Sequence, residues 1–97
     1  MEVDKIIHEP ARLRIMMILS GLEQADFNFL LRTLGLTRGN LSRHMEKLQL
    51  SGYVAVNKTF NGRIPHTAYE LTPAGAAALT QYWQALETIK QLRPQDS

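Results

Sequence analysis

The 97-residue sequence contains no cysteine, so neither a disulfide framework nor a thiolate metal site can form. Long apolar runs are missing as well. The longest, Ile15 to Leu19, is far too short to span a membrane. The start of the chain carries Glu2 and Asp4 and lacks the apolar stretch of a secretory signal, so a cytoplasmic location and no membrane partner are expected. The three histidines, His8, His44 and His66, are scattered with no i, i+4 pair. No metal and no other cofactor is therefore expected, although two chains together could assemble a metal site. Catalytic signatures are absent too. With no P-loop, no G-x-G-x-x-G, no Ser/His/Asp order and no pair of carboxylates set for acid–base work, no enzymatic activity is expected.

Acid is scarce in the middle of the chain. From Leu36 to His66 there are five basic residues (Arg38, Arg43, Lys47, Lys58, Arg63) and one acid, Glu46, a local charge of +4. The remainder has six basic and eight acidic residues, a charge of −2. A basic centre in a slightly acidic chain predicts one face for a polyanion. The composition, 44% hydrophobic and 21% charged, is that of a globular protein, and the length suits one small domain, 1–97.

The centre of that basic region is LTRGNLSRHMEKLQL, Leu36 to Leu50. At 100° per residue, Leu41, Met45 and Leu48 fall within about 60° of one another, with His44 flanking them. Gly39 and Arg43 lie opposite, Asn40 and Lys47 on one flank, Ser42 and Glu46 on the other. Thr37 is placed as N-cap and Gly52 as the residue that ends the helix. The outer face offers Arg, Lys, Asn and Ser and begins with a glycine, so a nucleic-acid groove can approach it closely. An ordinary core helix with a solvated face fits the same pattern, and the flanking sequence decides between the two.

Before this helix, Val3 to His8 suits a short helical turn, and Pro10 to Ser20 a largely buried helix with Pro10 at its first position. Leu13, Met16, Met17 and Ser20 would line one side, Ile15, Ile18 and Leu19 would widen it, and Arg12 and Arg14 would sit at the solvent edge. Phe27, Leu30, Leu31 and Leu34 repeat at helical spacing, capped by Asp26 and ended by Gly35, with room for a brief strand around Ala25 and Phe27. The link Gly35-Leu36-Thr37 then gives helix, short glycine turn, helix, the signature of a helix-turn-helix over 26–50.

After Gly52 the period changes from 3.6 to 2. Tyr53 to Phe60 is rich in β-formers, Asn61-Gly62 is a strong hairpin signal with Arg63 at or near the tip, and Thr67 to Leu71 is the returning strand. Thr72-Pro73 opens a last helix reaching about Leu92, and Arg93 to Ser97 would be a frayed tail. Leu79, Tyr82, Leu86 and Ile89 recur at spacings of 3, 4 and 3 with Trp83 beside them. This stripe could pack within its own chain, but four large apolar residues on a terminal helix favour a second copy.

The expected fold class is therefore mainly α with a small β-hairpin (α+β). LTRGNLSRHMEKL (Leu36 to Leu48), SGYV (Ser51 to Val54) and KTFNGRIPHTAYELTPAG (Lys58 to Gly75), in that order, resemble the winged helix-turn-helix transcriptional regulators of the MarR and ArsR types, from about Pro10 to Leu86. The resemblance implies a homodimer on double-stranded DNA, with the third helix in the major groove and the hairpin, 53–71, as the wing. It places Thr37, Arg38, Gly39, Asn40, Ser42, Arg43 and Lys47 in the groove, and Lys58, Asn61, Gly62 and Arg63 on the wing. It assigns the dimer interface to the terminal helices, here 73–92 with Leu79, Tyr82, Trp83, Leu86 and Ile89, and also to the residues before Pro10 in the N-terminal helical region, 3–20. One departure is visible: related wings often carry basic residues where this chain has Ile64 and His66. The competing expectation is a winged helix used for protein–protein contact in a larger complex. The sequence names neither an operator nor a small-molecule effector.

Overall fold

In a computed structural model that describes residues 2–92, four helices surround a small antiparallel sheet. The order is α1 (Pro10–Ser20), β1 (Ala25–Asp26), α2 (Phe27–Leu34), α3 (Arg38–Leu50), β2 (Val54–Asn61), β3 (Ile64–Leu71) and α4 (Pro73–Leu92). The expected tail, 93–97, lies outside the described residues.

The hairpin is not two-stranded. β1 joins it in the order β1-β3-β2, pairing Ala25 with Tyr69 and Asp26 with Ala68. β3 also begins three residues before the expected Thr67, because the ladder continues out to Asn61 opposite Ile64. A hairpin alone is marginal in water. Its root is held by the third strand and by buried Val54, Ala68 and Tyr69.

The core is built where the helices converge. Ile7, Ile15, Met16, Leu19, Leu30, Leu41, Met45 and Leu48 are fully buried. Two details of α1 differ from the sequence reading. Met17 is 48% exposed and Ser20 is exposed, so the buried face is Ile15, Met16 and Leu19. Apolar residues occur on every side of α1, so their period does not select a face. Arg12, expected at the solvent edge, is folded inward. Its Nε–H donates to the Ile6 carbonyl at 2.6 Å, and only 11% of its side chain is exposed.

The segment before α1 is a strap of turns. Asp4 Oδ1 accepts from the Ile6 and Ile7 N–H groups, at 2.8 and 3.3 Å. Glu9 caps α1, its carboxylate accepting from Ala11 and Arg12 N–H, both at 3.0 Å. The Tyr53 hydroxyl at the root of the wing donates to the other Asp4 oxygen. That bond, with a smaller contribution from burial, pushes the Tyr53 pKa up to about 12. His8 Nδ1 lies 2.8 Å from the Tyr82 hydroxyl, tying the strap to α4.

Thr72 joins the wing to α4. Its Oγ1 accepts from Gly75 N–H at 2.9 Å and donates to the Gly52 carbonyl at 2.6 Å. Gly75 packs directly on the wing root, since a Cβ there would come within 2.2 Å of the Tyr53 carbonyl oxygen. Glycine is the residue that permits this contact.

Candidate nucleic-acid interface

α3 divides into two faces. Thr37 caps it, its Oγ1 accepting from Asn40 N–H at 3.1 Å, and Gly52 follows its end with φ +82°. Leu41, Met45 and Leu48 face the core at 0%, 1% and 0% exposure. Arg38, Gly39, Ser42, Arg43, Glu46 and Lys47 are exposed, and Asn40 is half-buried. A Cβ at Gly39 would meet nothing within 4 Å. The fold therefore does not demand a glycine here, and the bare backbone is free for a ligand to approach.

Neighbours orient the two arginines. The Arg43 guanidinium donates to Asn40 Oδ1 at 2.6 Å, so it engages Asn40 and leaves Glu46 alone. Arg38 lies over the Phe27 ring, 5.1 Å from its centroid, and donates to Asn28 Oδ1 at 3.4 Å. The start of α2 thus holds Arg38 above the start of α3. The sequence pattern of α2 gives Asn28 and Phe27 no such role, because only the turn between α2 and α3 brings them beside Arg38.

Between α3 and the wing lies an open cleft of ≈ 380 Å³. Its walls include Arg38 and Ser42 from α3, Asn28 from α2, and Lys58, His66 and Thr67 from the wing. Its acid, Asp26, is already engaged. It accepts from Phe29 N–H at 2.6 Å as the cap of α2, and its other oxygen is 3.9 Å from His66 Nε2. The wing turns at Gly62 and Arg63, with Gly62 at φ +68°, one residue later than an Asn61-Gly62 turn would place it. Every residue from Lys58 to His66 is exposed, so Lys58, Asn61, Gly62 and Arg63 project beyond the body of the protein.

On the inner edge of α3, His44 Nδ1 is 3.4 Å from Glu9 Oε2 and 3.2 Å from an Arg12 nitrogen. His44 is thus packed and partnered beside the apolar stripe. Burial pushes the Glu9 pKa up, but the Ala11 and Arg12 N–H groups and the charges of His44 and Arg12 outweigh it and leave the pKa lowered. Among the described residues, no group of three or more His, Cys, Asp or Glu is placed to hold a metal ion.

The five residues expected to meet a second chain divide into two sets. Leu79 and Tyr82 are buried in their own chain, at 6% and 4% exposure, and Leu86 packs half-buried on the same core. Trp83 and Ile89 remain 42% and 41% exposed, and Leu92 beyond them is 71% exposed.

The model of the winged helix DNA-binding domain matches residues 11–89. The chain belongs to the winged helix DNA-binding domain family. An uncharacterised protein of Methanocaldococcus jannaschii is 36% identical over 90 residues, covering 91% of this chain and 97% of that protein. Among solved structures, a transcriptional regulator homologue from Pyrococcus horikoshii superposes with a TM-score of 0.82 at 31% identity, over 89% of this chain and 85% of that one. The winged helix also superposes on MarR from E. coli, a mutant complexed with operator DNA, with a TM-score of 0.68 at 23% identity, over 76% of this chain and 52% of that one. The fold is that of MarR-like transcriptional regulators, and family and fold point to a DNA-binding regulator. No described helix of this winged helix is long and apolar enough to cross a membrane.

Proposed function

We propose that the chain is a sequence-specific transcriptional regulator that binds double-stranded DNA as a homodimer. α3 enters the major groove, and the wing lies on the backbone or the adjacent minor groove. The observation that carries this reading is the cleft in which Arg38 and Ser42 of α3 face Lys58 of the wing. Two cationic elements border one concave surface, and the Gly39 backbone is open beside them.

Each residue type has a physical role on DNA. An arginine in the groove bonds guanine O6 and N7 together, worth about 1–3 kcal/mol of discrimination. Arg43 suits this role, and its bond to Asn40 fixes its direction before DNA arrives. Lys47 and Lys58 hold phosphates, which sets register and affinity without reading sequence. Thr37, Ser42 and Asn61 add short polar contacts. Arg63 on the thin tip, beside Gly62, suits the narrow, negative minor groove of A·T-rich DNA.

Trp83, Ile89 and Leu92, large apolar side chains left exposed along α4, supply apolar surface for a second copy. Two copies related by a two-fold axis read a pseudo-palindrome with half-sites about one helical turn apart. MarR from E. coli, which shares this fold, is complexed with operator DNA, and that supports DNA as the partner here.

The test is fluorescence anisotropy with random-sequence duplex DNA at low and moderate salt, beside sedimentation of the free protein. The reading requires a dimer whose affinity falls ~10³–10⁵-fold between 50 and 200 mM salt, as for ~6–10 phosphate contacts. A protein that binds no duplex at low salt overturns it.

A further inference from the structure

The end of the wing is apolar as well as basic. Phe60 is 74% exposed and Ile64 68% exposed, and Pro65 beside them is exposed too. The ladder pairs Phe60 with Pro65 and Asn61 with Ile64. Residues opposite each other in an antiparallel pair share a face, and alternate residues change face. Phe60 and Pro65 therefore lie on the face of Val54, Val56, Tyr69 and Leu71, carried outward past the core toward the cleft side. Ile64 lies on the other face. The tip is thus a ribbon with apolar side chains on both faces, ending at Gly62-Arg63.

The fold does not explain these residues. Among the described residues, Phe60 and Ile64 belong neither to the core nor to the half-buried side chains packed on it, and exposing large apolar side chains on a protruding ribbon invites aggregation. The charges around them select the occupant. From Val54 to Tyr69 the sequence has Lys58 and Arg63 and no acid, so the apolar tip is framed by cations that fit a polyanion. The tip is also continuous with the cleft, which Lys58 and Pro65 both line.

We infer that the wing tip is an apolar wedge for the DNA minor groove. Lys58 anchors it on phosphate and Arg63 enters the groove, while Phe60 and Ile64 press against the sugars and a base step, which they partly unstack. Apolar wedges of Phe, Ile and Pro act in this way in minor-groove proteins and kink the duplex. Ile64 at the tip then makes an apolar contact where a basic side chain would hold a phosphate. This wing gives up phosphate attraction for apolar insertion and selects sites by how easily a step deforms. The inference rests on the DNA-binding reading above.

The test uses the full chain and short duplexes of the site selected from random DNA, with 2-aminopurine replacing adenine at each position in turn. Fluorescence should rise at a step in the flank reached by the wing, and donor and acceptor dyes on the duplex ends should move closer. Phe60→Ala should abolish the rise and weaken binding on the order of 10- to 100-fold, as expected for one aromatic side chain losing its buried surface. Its log–log salt slope should equal that of the parent protein, because no counterion is involved. Ile64→Ala should do the same more weakly, and thermal melting should be unchanged for both. Salt-sensitive binding with no 2-aminopurine response overturns the wedge and leaves the DNA-binding reading intact. Absence of any duplex binding overturns both. Loss of self-association in Phe60→Ala, with DNA binding and fluorescence unchanged, assigns the tip to a second copy and overturns the wedge.

Discussion

The two faces of α3 share a backbone and differ in what they are for. Leu41, Met45 and Leu48 turn toward the core and are sealed there, while Arg38, Gly39, Ser42, Arg43 and Lys47, in the same thirteen-residue helix, touch solvent. The inner face is a packing problem, solved by volume. The outer face carries charge and open backbone that the fold does not need. Substitutions on the two faces should therefore separate stability from binding.

The sharpest separation comes from Leu41→Ala. It should destabilise by ~2–5 kcal/mol, the cost of a cavity at a fully buried leucine, measured by chemical denaturation. A cost below about half a kcal/mol would mean that the helix faces the other way. Arg43→Ala is the reciprocal. It should leave stability within ~0.5 kcal/mol, as for an exposed site. Binding to the selected site should weaken by ~1–3 kcal/mol, with relaxed preference at one base pair. If it lost stability and kept affinity, the division of faces would fail.

Gly39→Ala should move the two properties in opposite directions. Space is open for the methyl group and alanine is the better helix former, so the fold should gain up to ~1 kcal/mol. DNA affinity should fall, because the added carbon stands where the groove wall would approach. An equal or higher affinity would remove Gly39 from the interface.

The smallest effect concerns the strap beneath the inner face. The Tyr53 pKa is raised from 10.0 to about 12 by its bond to Asp4. The fold therefore favours the neutral phenol. That stability is fully present below pH 10, is lost as pH rises from 10 through about 12, and should not change across neutral pH. Tyr53→Phe should flatten this alkaline slope in a denaturation series. Glu9 gives the opposite sign. Its lowered pKa means stability present above the ordinary carboxyl value of 4.5 and lost as pH falls through the lower folded value, a slope that Glu9→Gln should remove.

Much of this was legible in the sequence where local rules decide. Pro10, Asp26, Thr37, Thr72 and the glycines at 21, 35 and 52 mark element ends, and the ends of α1, α2 and α3 fall where those residues place them. The inner face of α3 follows from its period alone. What was not legible depends on distant partners. The inward turn of Arg12 needs the Ile6 carbonyl and Glu9, and the placing of Arg38 needs Phe27 and Asn28. Ile7 is fully buried, yet it sits in turns too short to show a period. The split of the α4 stripe was hidden for the same reason. A spacing of 3 and 4 says that residues share a face, not whether their own chain or another covers it, and Leu79 and Tyr82 are covered by their own. The brief strand before α2 was legible, but not its place in the sheet, because a two-residue strand such as β1 pairs only with a partner distant in sequence, here β3.

That the outer face of α3 and the wing together hold duplex DNA is tested by the slope of log affinity against log salt for the parent protein and for Lys47→Ala/Lys58→Ala, one lysine from each element. Each lost phosphate contact should make the slope shallower by about 0.9, so a dimer losing two per chain should change by roughly 3–4. A slope shifted by that amount, with thermal stability unchanged, is the expected result. An unchanged slope in a folded double variant that still binds DNA would place the nucleic acid elsewhere on the protein and contradict it.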